Sequence, residues 1–167
     1  SWLSIIKLAD GNEKLLEMCD ENIYYLKNLP PELKTVLSYT NEGKLAKADH
    51  ICRDYLQRKP HDVEAMRLLA KIALELYIFE DAEFLLESCL VFDPNNIKVK
   101  HDYITTLLRR QKYGLALKTA KELYETSPEE LVAMKLYATT LFRADIYDES
   151  INLFGKSIGD AIVLTTE

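Results

Sequence analysis

The chain has 167 residues, of which 48% are apolar and 29% charged, and its formal net charge is −6. This length fits about one domain and is enough to enclose a core. The acidic balance argues against nucleic-acid binding, because proteins that bind nucleic acids carry excess positive charge. No apolar run approaches the ~18–20 residues of a membrane-spanning helix, so we expect neither nucleic acid nor a membrane as a partner.

The start of the chain bears on its location. The first residues, from Ser1 to Ser4, lack the basic segment of a secretory signal, and we therefore expect a cytoplasmic protein. The sequence also starts without Met, which leaves open a longer natural chain from which a targeting segment has been removed.

Residues 1–28 are predicted to form two short helices joined around Gly11. The second of these helices carries an apolar stripe, made of Leu15, Leu16, Cys19, Ile23 and Leu26. The segment does not follow the repeat that occupies the rest of the chain. We interpret it as a capping pair of helices or a degenerate repeat, because solenoids need modified terminal units.

A sequence repeat begins at residue 29. Residues of similar character recur at one constant spacing in three sets: Pro60, Pro94 and Pro128; Ala48, Ala82, Ala116 and Ser150; and Leu45, Phe79, Tyr113 and Tyr147. These sets share one register and define four units, at 29–62, 63–96, 97–130 and 131–158, followed by a C-terminal tail at 159–167. A fixed period of about 34 residues is typical of helical repeat proteins.

Each unit is predicted to contain two amphipathic helices. In unit two, apolar residues at helical spacing indicate helices over 63–76 and 81–92, with a turn over 77–80. Unit three ends at Ser127 and Pro128, which we expect to cap and open the next helix. Gly43 and Gly114 are predicted to lie in turns.

These residues resemble the tetratricopeptide-repeat (TPR) family over roughly residues 29–158. Unit two matches the family pattern at Met66, Leu69, Ala70, Ala73, Ala82, Leu86, Cys89 and Pro94, and unit four at Met134, Tyr137, Ala138, Leu141, Ser150, Phe154 and Ser157. Units one and three depart from it at Glu32, Thr35, Val36, Lys100 and Ile104. The resemblance implies an all-α protein, a right-handed α-solenoid of helix-turn-helix repeats.

One departure comes with a compensating change. Unit three has a large Ile104 where units two and four have alanine, and a small Ala120 where unit two has Leu86. We expect Ile104 and Ala120 to share one core, so that the summed side-chain volume stays constant.

The TPR resemblance also implies a concave face lined by the first helix of each unit. We expect a peptide-binding groove there, formed by Arg67, Lys71, Leu74, Lys98, His101, Leu108, Arg109, Lys135, Phe142 and Arg143. The face carries six cations against two carboxylates, Glu64 and Glu75, in a chain whose total charge is −6. Clustered charge in a concavity attracts the opposite sign, so the sequence predicts an acidic or extended peptide as partner. The alternative is that these charges are an ordinary solvated surface.

No catalytic residue, metal ligand or cofactor site is predicted. His50, His61 and His101 lie in no metal-binding or catalytic motif, and no phosphate-binding loop occurs. Cys19, Cys52 and Cys89 form no CxxC pair, and we interpret them as buried thiols.

Three functions remain open from the sequence. The first is a protein-interaction scaffold. The second is the non-catalytic arm of a larger enzyme, since residues 43–73 resemble TPR segments that precede bacterial sulfotransferase-type domains. The third is self-association into a homo-oligomer, in which the apolar end faces of the terminal units stack between chains.

Overall fold

The computed structural model describes the backbone of residues 13–128 and 130–166, and the side chains of residue 20 and of residues 22–128 and 130–156. All regular structure in these ranges is helical. The helices are α1 (Glu13–Asn28), α2 (Pro31–Asn41), α3 (Leu45–Arg58), α4 (Val63–Glu75), α5 (Phe79–Phe92), α6 (Ile97–Arg109), α7 (Tyr113–Thr126), α8 (Leu131–Arg143) and α9 (Tyr147–Thr166).

The helix starts repeat with the sequence period. The first helices α4, α6 and α8 begin at Val63, Ile97 and Leu131, and the second helices α5, α7 and α9 follow at the same spacing after Leu45. Only α2 begins later than the period would place it. Pro30 precedes Pro31 and is held in an extended conformation, with φ −52° and ψ 145°, because a residue before proline is kept out of the helical region.

The first helices form one layer and the second helices another, and neighbouring helices lie closer together in the first-helix layer. Each first helix packs against the second helix of its own unit and against the neighbouring first helices, so that α2, α4, α6 and α8 lie side by side. In the described part of the chain, no comparable contact joins successive second helices. Closer spacing in the first-helix layer places it on the inside of the curve, as expected for a solenoid.

Small residues allow the two helices of a unit to approach closely. Ala48, Ala82, Ala116 and Ser150 are at most 1% exposed, and the Ser150 hydroxyl donates a hydrogen bond to the Ala138 carbonyl. Ile104 and Ala120 are fully buried in the same core cluster, as the hypothesis of volume compensation requires. The repeated small residues therefore lie where the two helices of a unit pack together, as the sequence predicts.

The two described cysteine side chains are core residues. Cys52 and Cys89 are fully buried, and their thiols donate to the carbonyls of Ala65 and Val63 at 3.2 and 3.5 Å. Burial raises the pKa of both thiols to about 12, so they stay protonated and unreactive near neutral pH. This confirms the interpretation for these two positions.

The ends of the chain are described only in part. The region around Gly11 and the side chains of Leu15, Leu16, Cys19 and Ser157, with those of the tail, lie outside the described residues. Within α1, Leu26 is 37% exposed rather than buried in the predicted stripe. The half-buried aromatic residue of this helix is instead Tyr25, which packs beside the first-unit core.

Two predicted local features are wrong. Ser127 ends α7 instead of capping α8, and Pro128 lies in the turn, since α8 begins at Leu131 with Glu130 at its N-cap. Asn96, at the equivalent position one unit earlier, accepts a hydrogen bond from the Val99 amide, whereas the Glu130 side chain makes no such bond. Gly114 lies in the first turn of α7 rather than in a loop.

The turn between the helices of each unit has one backbone geometry. Gly43, Tyr77, Gln111 and Asp145 recur at the period of the sequence repeat, and all have positive φ, between 58° and 72°. The amide after each one bonds back to a carbonyl of the preceding helix, as from Lys44 to Tyr39 at 2.8 Å. This is the pattern of a Schellman motif, in which glycine is the favoured residue.

We expect Gly43→Ala to lower the free energy of unfolding by about 1 kcal/mol, because an L-residue is strained at positive φ. A Cβ atom at Gly43 would meet nothing within 4 Å, so the cost comes from the backbone alone. Gln111→Ala is the matched control and should change stability by less than about 0.5 kcal/mol, since Gln111 already bears a side chain. Urea unfolding measures both, and equal losses would contradict the backbone explanation.

Units two and three are joined on the outer side by a buried carboxylate. Glu83 of α5 is 5% exposed and pairs with Arg110 at 2.5 Å and with Lys112 at 2.6 Å. Both cations lie in the turn between α6 and α7. A buried charge is stable only when it is paired in this way, so the contact fixes the turn of unit three against the second helix of unit two.

Candidate functional site

The exposed side chains of the first helices α4, α6 and α8 form one surface, which we call the first-helix face. Its exposed cations are Lys71, Lys98, Arg109, Lys135 and Arg143. Lys71, Arg109, Lys135 and Arg143 make no ion pair with the described side chains. The first helices of three successive units therefore present positive charge that no described carboxylate neutralises.

Two of the predicted groove residues do not belong to this face. Leu74 and Leu108 are only 9% and 8% exposed, and both lie within the main core cluster. Phe142, at the equivalent position of unit four, is 55% exposed and packs edge-on against Tyr147. Leu33, the unit-one counterpart of Arg67, is fully buried. Burial by neighbouring helices therefore corrects the prediction for Leu74 and Leu108.

Arg67 is engaged in a structural bridge. Its Nη2 donates to Glu64 Oε1 at 2.7 Å, and its Nη1 donates across to Asp102 Oδ2 on α6 at 2.8 Å. The Arg67 side chain is 15% exposed and both carboxylates are 26% exposed. Charge-assisted hydrogen bonds of this kind are among the strongest in proteins. Arg67 thus braces the first helices of units two and three, and little of its charge faces solvent.

The protonation states in this bridge follow from its contacts. Burial by itself would raise the pKa of Asp102, but the hydrogen bond from His101 and the Arg67 charge lower it below its ordinary value. Burial likewise acts to lower the pKa of Arg67, and the Glu64 and Asp102 carboxylates more than reverse this. His101 Nδ1 lies 3.2 Å from Asp102 Oδ1. Asp102 and Arg67 therefore both stay charged near neutral pH.

A contact that sequence reasoning missed brings α1 to the same face. The Tyr25 hydroxyl donates a hydrogen bond to Glu64 Oε1, and the Lys98 ammonium lies 4.7 Å from the centroid of the Tyr25 ring. Beside this contact is a cleft of about 510 Å³, lined by residues of α1, α2, α4 and α6 and the segments between them. No spacing within α1 signals the contact, because both partners of Tyr25 lie in later units of the chain.

The charge of the first-helix face changes once Asp102 is included. Its cations number six with Arg67, against the three carboxylates of Glu64, Glu75 and Asp102, which leaves an excess of three. The excess predicted from the sequence is four, because Asp102 was not assigned to the face. The positive sign remains, and it contrasts with a chain charge of −6.

Among the residues that the structure describes, no group of three or more His, Cys, Asp or Glu side chains is arranged to hold a metal ion. No helix in this part of the chain has both the length and the apolar character needed to cross a membrane.

Comparison with known proteins supports the fold. No protein-family model matches the sequence, and no curated protein does. Among solved structures, MamA (41 to the end) from Desulfovibrio magneticus RS-1 aligns with 77% of this chain and 72% of that chain, at 16% identity and a TM-score of 0.68. PilF from Pseudomonas aeruginosa aligns with 76% of this chain and 58% of that chain, at 19% identity and a TM-score of 0.68.

In a third solved structure, the aligned segment is a small part of a longer chain. O-GlcNAc transferase from Thermobaculum terrenum aligns with 66% of this chain but 22% of that chain, at 20% identity and a TM-score of 0.56. All three proteins contain TPR repeats. With the helix pairs and the constant spacing of the units, these likenesses show that the chain has the fold of a TPR α-solenoid.

Proposed function

We propose that this chain is a protein-interaction scaffold that binds an acidic segment of a partner protein on the first-helix face. The observation that carries the proposal is the row of cations on α4, α6 and α8, among them Lys71, Arg109 and Lys135, which form no ion pair with any described side chain and lie on the inside of the solenoid in an acidic chain. Solenoids use their inner curve as an extended binding surface. Clustered charge in such a surface steers a partner of opposite sign and speeds its association.

The same face offers an apolar anchor beside the charge. Phe142 is 55% exposed and lies one residue from Arg143, while Val132 at the other end of α8 is 45% exposed. Aromatic and arginine side chains carry much of the binding energy at protein interfaces. We therefore place Phe142 and Arg143 at the end of the face where a partner's apolar side chain would dock.

The test is capture of peptides by the purified chain at low and high salt. A mixed array of acidic, basic and neutral peptides should give acidic binders at about 0.1 M salt that are lost near 1 M, where the screening length falls to about 3 Å. Absence of acidic binders at both salt concentrations would overturn the proposal. Capture that is equal for acidic and neutral peptides would also overturn it, because the cations would then contribute nothing.

A second candidate function is the non-catalytic arm of a larger enzyme. It is favoured by the likeness to O-GlcNAc transferase, in which the aligned part is 22% of that chain. In such an arm the first-helix face would present a substrate to a catalytic domain outside this sequence. The complete gene decides this candidate, since it must encode a recognisable catalytic domain.

A third candidate is self-association through the last unit. Phe142, Tyr147 and Ile151 are 55%, 49% and 67% exposed, whereas Leu108, Tyr113 and Leu117, their equivalents one unit earlier, are buried or half-buried. Exposed apolar residues at the end of a solenoid favour stacking between chains. Light scattering should then show a mass that rises with concentration, and Ile151→Lys should lower it. A mass of 19.3 kDa at all concentrations would contradict this candidate.

A further inference from the structure

Helix α1 reaches the first-helix face through Tyr25, which also packs beside the first-unit core. Two of the partners of Tyr25 are Glu64 and Lys98, which belong to the first helices of units two and three. The Tyr25 side chain therefore occupies the start of the face that we propose as the binding surface.

The Tyr25 contact has the features of a specific subsite. Its hydroxyl donates to the Glu64 carboxylate, which also accepts two hydrogen bonds from Arg67, so the acceptor is fixed in place. The Lys98 ammonium lies over the ring at 4.7 Å, which is within the range of a cation–π interaction. Burial and the hydrogen bond to Glu64 raise the pKa of Tyr25, so the phenol remains a donor. The subsite thus recognises both the ring and the hydroxyl of a tyrosine.

The part of α1 at the face, residues 22–28, contributes the Tyr25 side chain and a single charge, that of Lys27. The four carboxylates in the sequence of α1 all precede residue 22. The structure therefore supports a tyrosine in the bound segment, and the acidic character of that segment follows from the excess of three positive charges on the face that we propose as the binding surface. Lys27 and Asn28 at its end are exposed, as is Tyr24 beside the inserted residue.

We propose that α1 is an intramolecular occupant of the first-helix face, and that the partner is an acidic helix whose tyrosine takes the place of Tyr25. The proposal rests on the proposed function and specifies its ligand. Because α1 must leave before the partner binds, the apparent affinity is reduced by the fraction of chains in which α1 is displaced. The strength of the contact between Tyr25 and Glu64 then sets the fraction of chains in which α1 is displaced.

The test uses the full chain and a synthetic peptide of residues 13–28 with blocked ends, added in trans. Tyr25→Phe removes the hydroxyl but keeps the ring, and it weakens the internal contact without opening a cavity. We expect the peptide to bind this variant about tenfold more tightly than the wild-type chain, as for loss of a hydrogen bond to a charged group. Tyr24→Phe is the matched control, because Tyr24 is 72% exposed, and it should leave the affinity unchanged.

Two further measurements make the result specific. A peptide that itself carries Tyr25→Phe should bind the Tyr25→Phe chain about tenfold more weakly than the natural peptide, since both compete for one subsite. Hydrogen exchange at the amides of residues 22–28 should rise when the peptide binds the wild-type chain. Circular dichroism confirms that each variant is folded before binding is measured.

Each outcome decides one of the two proposals. Equal affinity of the peptide for wild type and Tyr25→Phe, no binding to either, or unchanged exchange at residues 22–28 overturns the role of α1. If acidic array peptides bind wild type and Tyr25→Phe equally, the scaffold function stands and the role of α1 fails. If the natural peptide binds Tyr25→Phe more tightly while no acidic array peptide binds any chain, the role of α1 stands and the general acidic preference fails.

Discussion

Ile104→Ala is expected to lower the free energy of unfolding by about 2–5 kcal/mol, the range for truncating a large buried aliphatic side chain. Ile104 is fully buried in the main core cluster, together with Ala120 and Leu107. It also replaces the alanine found at the equivalent position of units two and four, so the core of unit three depends on its volume. Urea unfolding followed by circular dichroism measures the loss.

The same prediction includes a second substitution that should restore part of the stability lost in Ile104→Ala. Ala120→Leu alone should destabilise by about 1–3 kcal/mol, because it overpacks a full core. Combined with Ile104→Ala it should restore part of the lost stability, and the two changes should couple by about 1 kcal/mol or more. Strict additivity of the single losses would show that the residues do not share space, and volume compensation would be rejected.

Reversing two charges of the first-helix face should reduce binding of an acidic peptide by about a hundredfold. The changes are Lys71→Glu and Arg109→Glu, on α4 and α6. Both side chains are exposed and neither forms an ion pair with a described residue, so replacement costs the fold little. The new carboxylates would repel the partner at the centre of the face. Fluorescence anisotropy with a labelled acidic peptide measures the change.

The matched control is Lys118→Glu with Lys156→Glu, which changes the net charge equally on the second helices α7 and α9. Both lysines are exposed, and they lie in the outer layer. The control should bind the acidic peptide with nearly the affinity of the wild-type chain. Equal losses for the two double variants would mean that total charge, rather than the first-helix face, governs binding. Loss of helicity in the Lys71 and Arg109 variant would contradict their surface assignment.

The fold could be predicted from the sequence because the residues that repeat are those at which helices pack against each other. Ala82 and Ala116 recur where helices must approach, and Leu45, Phe79 and Tyr113 recur where each second helix begins. Such positions are constrained by steric contact within a unit, so one unit predicts the next. The N-cap of α8 was missed although the period contains it, since Glu130 follows Asp62 and Asn96 at the same spacing.

The site was predictable only in part, because it depends on contacts between units. The pattern of a single unit does not show that its neighbours cover Leu74 and Leu108, or that Arg67 will meet Asp102 of the next unit. The contact of Tyr25 with Glu64 joins α1, which does not follow the repeat, to unit two. No periodic signal encodes such a contact, whereas the exposed cations could be predicted from the helix positions directly.

The two charged contacts between units two and three have a consequence for the shape of the binding surface. The Arg67–Asp102 bridge joins these units on the inside of the curve, and Glu83 joins them on the outside through Arg110 and Lys112. A joint held on both sides resists bending in either direction. The middle of the surface is thus a fixed template, and any adjustment of the curvature to a partner falls to the joints on either side of it.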